Sequence, residues 1–300
     1  MIVISKSSYQ TIVGGIKGPL LLLFVWDVIV TVTYYHFPFQ APGLPLTLFG
    51  SVLALILGFR STSAYQRWWE GRGLWGLMIN ANRNLARAAA NFLPEGADAT
   101  GQSQGLRRAI VLRQIAYVNA LRSQLRRTPI DTALLPDLSP GEAETAMARA
   151  NVANAILDGT GRLIAEAKQQ GLIDTIQQTH MEGILVDMAN AQGGMERLKN
   201  TPLPAQFRVF PKLFTHLFCL LLPFGLVEAL GVATPLGSTV AGTMFLAVLA
   251  IGDDLVDPFA NTIHDLPLEA MCRTIEIDLT QGLGDVAPAP ITPDDAGVLW

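Results

Sequence analysis

The chain has 300 residues, of which 50% are apolar and only 15% are charged. Because soluble domains carry about 25% charged residues, the composition argues against a water-soluble protein and for one that lies in a membrane. The formal net charge of -4 is too small to suggest a nucleic-acid partner. The two cysteines, Cys219 and Cys272, lie in an apolar run and a polar segment, which predicts two free thiols in a reducing compartment.

Four apolar runs are candidates for membrane-spanning helices: Leu20–Tyr35, Leu44–Phe59, Leu213–Leu230 and Pro235–Ile251. Each is near or slightly below the about 20 residues that a span requires, so adjoining residues must complete the crossings. The residues before the first run lack the apolar region and cleavage site of a signal peptide. We therefore expect the first run to remain in the mature protein.

Lysine and arginine are distributed unevenly between the two ends of these runs. The connections at residues 37–43 and 231–237 contain neither residue. The opposite ends carry Lys6, Lys17, Arg60, Arg67, Arg72, Arg208 and Lys212. By the positive-inside rule, this distribution predicts a multi-pass protein whose two termini and middle segment are cytoplasmic.

The predicted domain organisation follows from this orientation. Residues 1–69 form an N-terminal segment and transmembrane helices one and two, with the second helix at 44–69, and residues 207–252 form helices three and four. Residues 70–206 form a cytoplasmic domain, and residues 253–300 form a cytoplasmic segment and tail. The sequence shows no strand pattern, so the fold class is an all-α membrane protein with four transmembrane helices in each subunit.

The middle segment carries helix signals of its own. Ser139, Pro140 and Glu142 match an N-cap, a first-turn proline and a capping-box acid, which predicts a helix that ends at Gly159. Farther on, helical spacing places four residues on one face: Leu172, Ile173, Ile176 and His180. We expect that helix to break or bend at Gly193–Gly194.

The second run passes into a polar segment at Arg60 without a proline, and Gly58 is the only glycine near that boundary. Ser51, Leu55 and Phe59 stack at i, i+4 and i+8 on one face. The ordinary explanation for this spacing is a stripe that faces lipid or packs inside the protein. A helix that continues from an apolar into a polar medium, however, needs water or protein along part of its length. Several copies around an axis would form a narrow apolar ring, which gates by dewetting.

Two acidic residues lie in apolar runs, where facing lipid is costly. Glu228 is near the outer end of the third run and either reaches the interface or faces protein. Asp27 is in the middle of the first run. Two interpretations of Asp27 stay open: it binds a structural partner in the protein, or it faces a pore.

Asp253, Asp254 and Asp257 spell DDxxD, which binds magnesium and pyrophosphate in prenyl-transferring enzymes. That chemistry needs a second acidic motif, and the sequence has none. If the chain were such an enzyme, alanine at Asp253 and Asp254 would abolish its activity, whereas the same changes should barely affect ion conduction. Our interpretation is that the chain is not an enzyme, because it also lacks a phosphate loop and a nucleophile motif.

Three stretches resemble the bacterial branch of the bestrophin family in content and order: "LGFRSTSAYQRWWEGRGLWG", "AQGGMERLKNTPLP" and "DDLVDPFANTIHDLPLEAMCRTIEIDL". The order of four helices around a helical domain is also similar over most of the chain. The resemblance implies a homopentameric ion channel in the bacterial inner membrane, in contact with the lipid bilayer. The second helix of each subunit would line a central pore. A non-conducting membrane scaffold remains an alternative, and the oligomeric state would separate it from a ring of five.

The family neck has three apolar residues at i, i+4 and i+8, which here correspond to Ser51, Leu55 and Phe59. Ser51 departs from the apolar pattern, so the outermost ring is expected to widen or wet the entrance. The resemblance also implies a cytoplasmic aperture near Ile176, with Ile173 as the alternative.

Animal members of the family carry a calcium clasp after the fourth helix. The corresponding segment, residues 257–265, has Ala260 in place of the glycine and has lost most of the acidic residues. Calcium takes about six to eight oxygen ligands, so we expect no calcium gating of that kind. The four histidines are scattered, without cysteine or carboxylate at ligand spacing, so we expect no metal site, and we expect no cofactor. The resemblance implies that chloride is conducted, whereas the acidic net charge leans towards cations such as sodium. Small monovalent ions of either sign therefore stay open.

Overall fold

The computed structural model describes Met1 and residues 5–37, 43–94, 101–135 and 138–300, with the backbone alone for residues 5–13. The predicted loop at 37–43 and the Lys6 side chain lie largely outside these residues. The described residues form nine α-helices: α1 (Ser5–His36), α2 (Leu46–Phe92), α3 (Gln102–Arg126), α4 (Pro140–Met147), α5 (Val152–Gln169), α6 (Thr175–Asn200), α7 (Ala205–Leu230), α8 (Thr234–Leu255) and α9 (Leu268–Gly282). Short 3₁₀ turns at Thr132–Leu134 and Gly231–Ala233 precede α4 and α8.

The chain divides into two units. The apolar unit consists of Ile2–Trp68 and Pro202–Asp257, and the polar unit consists of Met1, Trp69–Thr201 and Pro258–Trp300. α2 is one helix of 47 residues that contributes to both units. Three described stretches are long and apolar enough to cross a membrane: Gly14–His36, Leu46–Phe92 and Ala205–Leu255, the last of which contains both α7 and α8.

Side chains from α2, α7 and α8 form the core of the apolar unit. Leu53 and Leu57 of α2 pack with Phe218 and Leu222 of α7 and with Leu249 of α8. α1 joins them through Leu23, which lies against Cys219 and Leu246. Gly242 makes this contact possible, because a Cβ atom there would lie 2.2 Å from a Leu23 methyl group. Both predicted free thiols, Cys219 and Cys272, are confirmed, and both are buried.

α3 is the central helix of the polar unit and packs against α5, α6 and α9. Its Tyr117 is fully buried and donates a hydrogen bond of 2.9 Å to Gln192 of α6. Trp75, Met78 and Leu85 of α2 are also completely buried. This unit therefore has a conventional packed core.

The helix predicted to end at Gly159 is two helices, so that prediction was wrong. α4 ends at Met147, and Asn151 caps a new helix by accepting a hydrogen bond of 2.9 Å from the Asn154 backbone. Gln124 and Glu196 hold the Asn151 side chain in this position through bonds of 3.3 and 2.8 Å.

The break predicted at Gly193–Gly194 was also wrong, because α6 runs unbroken to Asn200. Gly194 serves close packing here. A Cβ atom at this position would lie 2.8 Å from a Leu74 methyl group of α2. α6 begins at Thr175, after a capping box formed by Asp174 and Gln177. Leu172 and Ile173 therefore precede the helix on which they were predicted to lie.

Gly159 lies in the middle of α5 and leaves space for a buried arginine. Arg113 donates to the Ile156 carbonyl at 3.3 Å and pairs with Glu142 at 2.5 Å. A Cβ atom on Gly159 would lie 2.0 Å from an Arg113 guanidinium nitrogen. Any side chain at this position must therefore displace Arg113 from its partners.

We predict that Gly159→Ala has a free energy of unfolding about 1–3 kcal/mol lower than Gly183→Ala, because only Gly159→Ala overpacks a filled site, while both changes share the helix gain of alanine over glycine. Thermal unfolding of the purified full chain would measure the change. Gly183→Ala in α6 is the matched control, since a Cβ atom there meets nothing within 4 Å. In a helix interior it should stabilise the chain by up to about 1 kcal/mol. Equal midpoints for the Gly159→Ala and Gly183→Ala variants would contradict this account of Arg113.

Candidate functional site

The α2 segment in the apolar unit has two faces of opposite character. The residues predicted to form a neck, Ser51, Leu55 and Phe59, are all exposed, with Leu55 and Phe59 at 60% and 63%. We call these three residues the neck stripe. Leu53 and Leu57 on the other side are 3% and 1% exposed. With about 100° of rotation per residue, the neck stripe lies roughly opposite the face that packs in the core.

The polar residues of the neck stripe and its vicinity bond to their own helix. The Ser51 hydroxyl donates to the Thr47 carbonyl at 2.8 Å, and the Ser63 hydroxyl donates to the Phe59 carbonyl at 2.9 Å. Such bonds satisfy a hydroxyl without a partner from another helix. Among the residues that the structure describes, nothing covers most of the apolar surface of Leu55 and Phe59.

Arg60 follows Phe59 directly and is 3% exposed. Its guanidinium binds two other helices: Nε donates to the Phe207 carbonyl of α7 at 3.0 Å, and Nη1 donates to the Leu249 carbonyl of α8 at 2.9 Å. The remaining nitrogen, Nη2, pairs with the Asp253 carboxylate. We call Arg60 and these three acceptors the Arg60 cluster. Arg60 is the first cation after the apolar run of α2. Because the cluster encloses it in protein, α2 can continue past this charge without a turn.

The two residues predicted for a second constriction have different surroundings. Ile176 lies in the first turn of α6 and is 81% exposed. Ile173 is 3% exposed, because it lies before the Asp174 cap, where its side chain enters the core of the polar unit. Of the two, only Ile176 has the exposed apolar side chain that a constriction formed by several copies would need.

Asp27 has a structural partner, which decides between the two interpretations that the sequence left open. Its side chain is fully buried, and its two carboxylate oxygens accept hydrogen bonds from Ser238 at 2.9 Å and from Thr239 at 3.0 Å. Both donors belong to α8. The pair of bonds joins α1 to α8 and satisfies a polar group that would be costly in an apolar medium.

The DDxxD segment does not form an open carboxylate site. Asp253 belongs to the Arg60 cluster. α8 ends at Leu255, so Asp257 lies beyond the helix that carries Asp253 and Asp254. Across the described ranges, no group of three His, Cys, Asp or Glu residues is arranged to hold a metal ion. From the sequence we expected alanine at Asp253 to have little effect on ion conduction. Because Asp253 pairs with Arg60, we now expect this change to affect conduction.

The segment that corresponds to the calcium clasp of animal relatives is closed by its own hydrogen bonds. Asp265 is fully buried and accepts a bond from the Asn261 backbone, whose φ of 64° is in the left-handed region that asparagine tolerates. Burial raises the pKa of Asp265 above its ordinary value, while nearby Arg126 and the backbone bonds act in the opposite direction. Lys199 donates to the Phe259 carbonyl at 3.3 Å, which places another cation beside the segment.

The fold and the apolar helices define an all-α membrane protein. The model of the family described as "Bacterial/Fungal Bestrophin protein" matches residues 2–281. The chain belongs to this bestrophin family.

Relatives and solved structures agree with this assignment. The chain is 32% identical over 291 residues to the voltage-dependent anion channel-forming protein YneE of Escherichia coli K12, covering 95% of this chain and 93% of YneE. It is 34% identical over 246 residues to the voltage-dependent anion channel-forming protein mll4386 of Mesorhizobium japonicum, covering 81% and 76%. The crystal structure of a bacterial bestrophin homolog from Klebsiella pneumoniae superposes with a TM-score of 0.83 at 32% identity, covering 89% of this chain and 98% of that one.

Sequence reasoning missed the Arg60 cluster. Arg60 entered that reasoning only as a positive charge at the end of a span. A usable signal was its spacing, because Leu53, Leu57, Arg60 and Ala64 recur at intervals of four, three and four, as on one helix face. Leu53, Leu57 and Ala64 are small or apolar and buried, so an arginine in register with them is enclosed as well.

We predict that Asp27→Ala lowers the stability of the chain by about 0.6–2 kcal/mol, because hydrogen bonds between membrane helices contribute about 0.6 kcal/mol on average in a folded membrane protein and about 1–2 kcal/mol in model peptides. Asp27→Asn should cost less, because its amide keeps the shape and one acceptor oxygen for Ser238 or Thr239. Thermal unfolding in one detergent would compare the two variants. Thr33→Val is the control, since Thr33 is exposed and bonds only the Ile29 carbonyl of its own helix among the contacts described. An equal loss for Asp27→Asn and Asp27→Ala would show that the charge, not the hydroxyl bonds, matters.

Proposed function

We propose that this chain forms a homopentameric ion channel of the bacterial inner membrane, with both termini cytoplasmic. It conducts small monovalent ions, chloride-type anions first, through a narrow neck formed by Ser51, Leu55 and Phe59 of five copies. One observation carries the proposal: the neck stripe is exposed on a single helix of 47 residues. The relatives are named anion channel-forming proteins, which favours an ion channel that conducts anions.

An apolar ring controls passage through the free energy of wetting. Leu55 and Phe59 carry no charge or hydrogen-bonding group, so water in a narrow ring of these side chains loses hydrogen bonds and withdraws. Ser51 supplies a polar ring next to them, and its hydroxyl keeps a lone pair for water while donating to Thr47. In the proposed channel, Ser51 marks a wet entrance and Leu55 and Phe59 form the dry constriction.

Ion choice in such a neck depends on Phe59. An aromatic ring is positive at its edge and negative on its face, so an edge that points to the axis favours an anion and a face favours a cation. The names of the relatives favour anions. The acidic net charge of -4 favours cations such as sodium. We give the greater weight to anions, because the net charge does not say which residues face the ion path.

A second constriction is proposed at Ile176, the cytoplasmic aperture. Ile176 presents an exposed apolar side chain in the first turn of α6. Five copies would form another uncharged ring. We do not propose Ile173 for this aperture, because its side chain is packed in the core.

Two alternative functions have less support, because specific side-chain contacts and exposures do not fit them. A magnesium-dependent prenyl transferase would need Asp253 to bind metal, but the Asp253 carboxylate is paired with Arg60. We therefore do not propose an enzyme or a metal cofactor. In a non-conducting scaffold, the neck stripe would pack against side chains. Within one chain Leu55 and Phe59 remain more than half exposed, which supports a surface completed by other copies.

We predict that Leu55→Ala and Phe59→Ala each raise single-channel conductance about twofold or more, because shorter side chains widen and wet an apolar ring. The measurement is recording from purified protein in planar bilayers under asymmetric sodium chloride. The sign of the wild-type reversal potential identifies the favoured ion, which we expect to be chloride.

Phe49→Ala is the matched control for Phe59→Ala. It makes the same change on the same helix, and Phe49 is 41% exposed but lies about 120° from the middle of the neck stripe. Its conductance should equal that of the wild type. Equal changes in conductance for Phe49→Ala and Phe59→Ala would show that the neck stripe does not form the neck. An absence of current from verified pentamers would favour the scaffold.

A further inference from the structure

We propose that Arg60 is the positioning residue of the neck: it fixes the rotation of α2 about its own axis and thereby holds Phe59 in the ring. This inference rests on the proposed function, because it takes Phe59 as a neck residue. It is argued from the Arg60 cluster, in which residues from three separate parts of the sequence prepare one buried site for a guanidinium.

The first prepared acceptor is the Phe207 carbonyl in α7. In an α-helix this carbonyl would accept from the backbone nitrogen four residues later. That residue is Pro211, which has no N–H to donate. Arg60 Nε supplies the missing donor at 3.0 Å. A proline inside α7 therefore frees the acceptor that orients one edge of the guanidinium.

The second prepared feature is the space beside α8. Arg60 Nη1 donates to the Leu249 carbonyl at 2.9 Å, which requires the guanidinium to lie against the α8 backbone. Gly252 permits this approach, because a Cβ atom there would lie 2.8 Å from Nη1. Alanine at Gly252 would push the guanidinium away while leaving every charge in place.

The third prepared feature is the counter-charge. Asp253 pairs with Nη2 and is 49% exposed, whereas Arg60 is 3% exposed. An enclosed guanidinium without such a partner would be costly. Its planar fork distinguishes Arg60 from a lysine, since Nε, Nη1 and Nη2 each have a different acceptor in a different direction. Three fixed directions define an orientation, which a single ion pair does not.

The orientation of Arg60 is transmitted to Phe59 by the helix. The two residues are consecutive, so their side chains leave α2 about 100° apart. Arg67, two turns farther on, donates to the Val256 carbonyl at 3.0 Å. α2 is thus held at two heights on one face, by Arg60 to α8 and by Arg67 to the residue that directly follows α8. A rotation that moved Phe59 off its place would break the bonds of Arg60 at the same time.

In this arrangement Arg60 affects conduction by positioning Phe59 and not through its own charge. The Arg60 charge is buried and paired, so it does not select ions directly, and its effect on conduction passes through Phe59. Removing the cluster should let the Phe59 ring move and widen the neck. The same removal should have no further effect when residue 59 has no ring to position.

The test is a cycle of variants recorded in planar bilayers: wild type, Arg60→Gln, Phe59→Ala and the double variant. We expect Arg60→Gln to raise conductance at least about twofold. This factor corresponds to the smallest coupling free energy that is usual between residues of one network. In the Phe59→Ala background, Arg60→Gln should change nothing more. Gly252→Ala, which keeps Arg60 and its charge, should act in the same direction and serves if Arg60→Gln fails to assemble. Arg208→Gln, an exposed arginine of the same unit, is the control.

The outcomes distinguish the two proposals. If Phe59→Ala leaves conductance unchanged, the proposed neck fails, whatever Arg60 does. If Phe59→Ala changes conductance but Arg60→Gln and Gly252→Ala do not, the positioning role is overturned. An Arg60→Gln effect that persists at full size in the Phe59→Ala background would overturn it too, because the charge would then act on ions without the ring.

Discussion

A buried guanidinium at the end of an apolar helix run is the interaction on which the rest of the structure depends. α2 is continuous from Leu46 to Phe92, and Arg60 is the first charge along it. In an apolar medium a cation needs acceptors from the protein, and two backbone carbonyls and one carboxylate on α7 and α8 provide them. Because these acceptors belong to the protein itself, the helix continues past Arg60, and the neck stripe on its other face stays exposed.

The two faces of α2 thus have separate tasks. One face holds the helix in place through Leu53, Leu57 and Arg60, and the opposite face carries Leu55 and Phe59. The same separation appears in α1, where Asp27 is used to bind α8 and not to meet an ion. Polar groups in the apolar unit therefore contribute to position, and in our proposal the conducting surface is made of uncharged side chains.

Sequence reasoning reached the elements whose signals are local. Composition and apolar runs predicted an all-helical membrane protein, and the family assignment is confirmed by the comparisons. Sequence reasoning failed where the local structure depends on residues that are distant in the sequence. Gln124 and Glu196 hold the Asn151 side chain where it caps a new helix, and Gly194 lies inside a helix at a place where Leu74 leaves no room for a side chain. The Arg60 cluster needs Pro211 and Gly252, which lie far along the chain. The neck stripe itself stays a prediction, since its ring requires other copies.

The most direct test of the central claim is an electron cryo-microscopy structure of the full chain in lipid nanodiscs. We expect five copies around one axis, with Leu55 and Phe59 at the narrowest point and the Arg60 guanidinium still bound to α7 and α8. A different stoichiometry without an axial opening, or a neck stripe turned towards lipid, would contradict it.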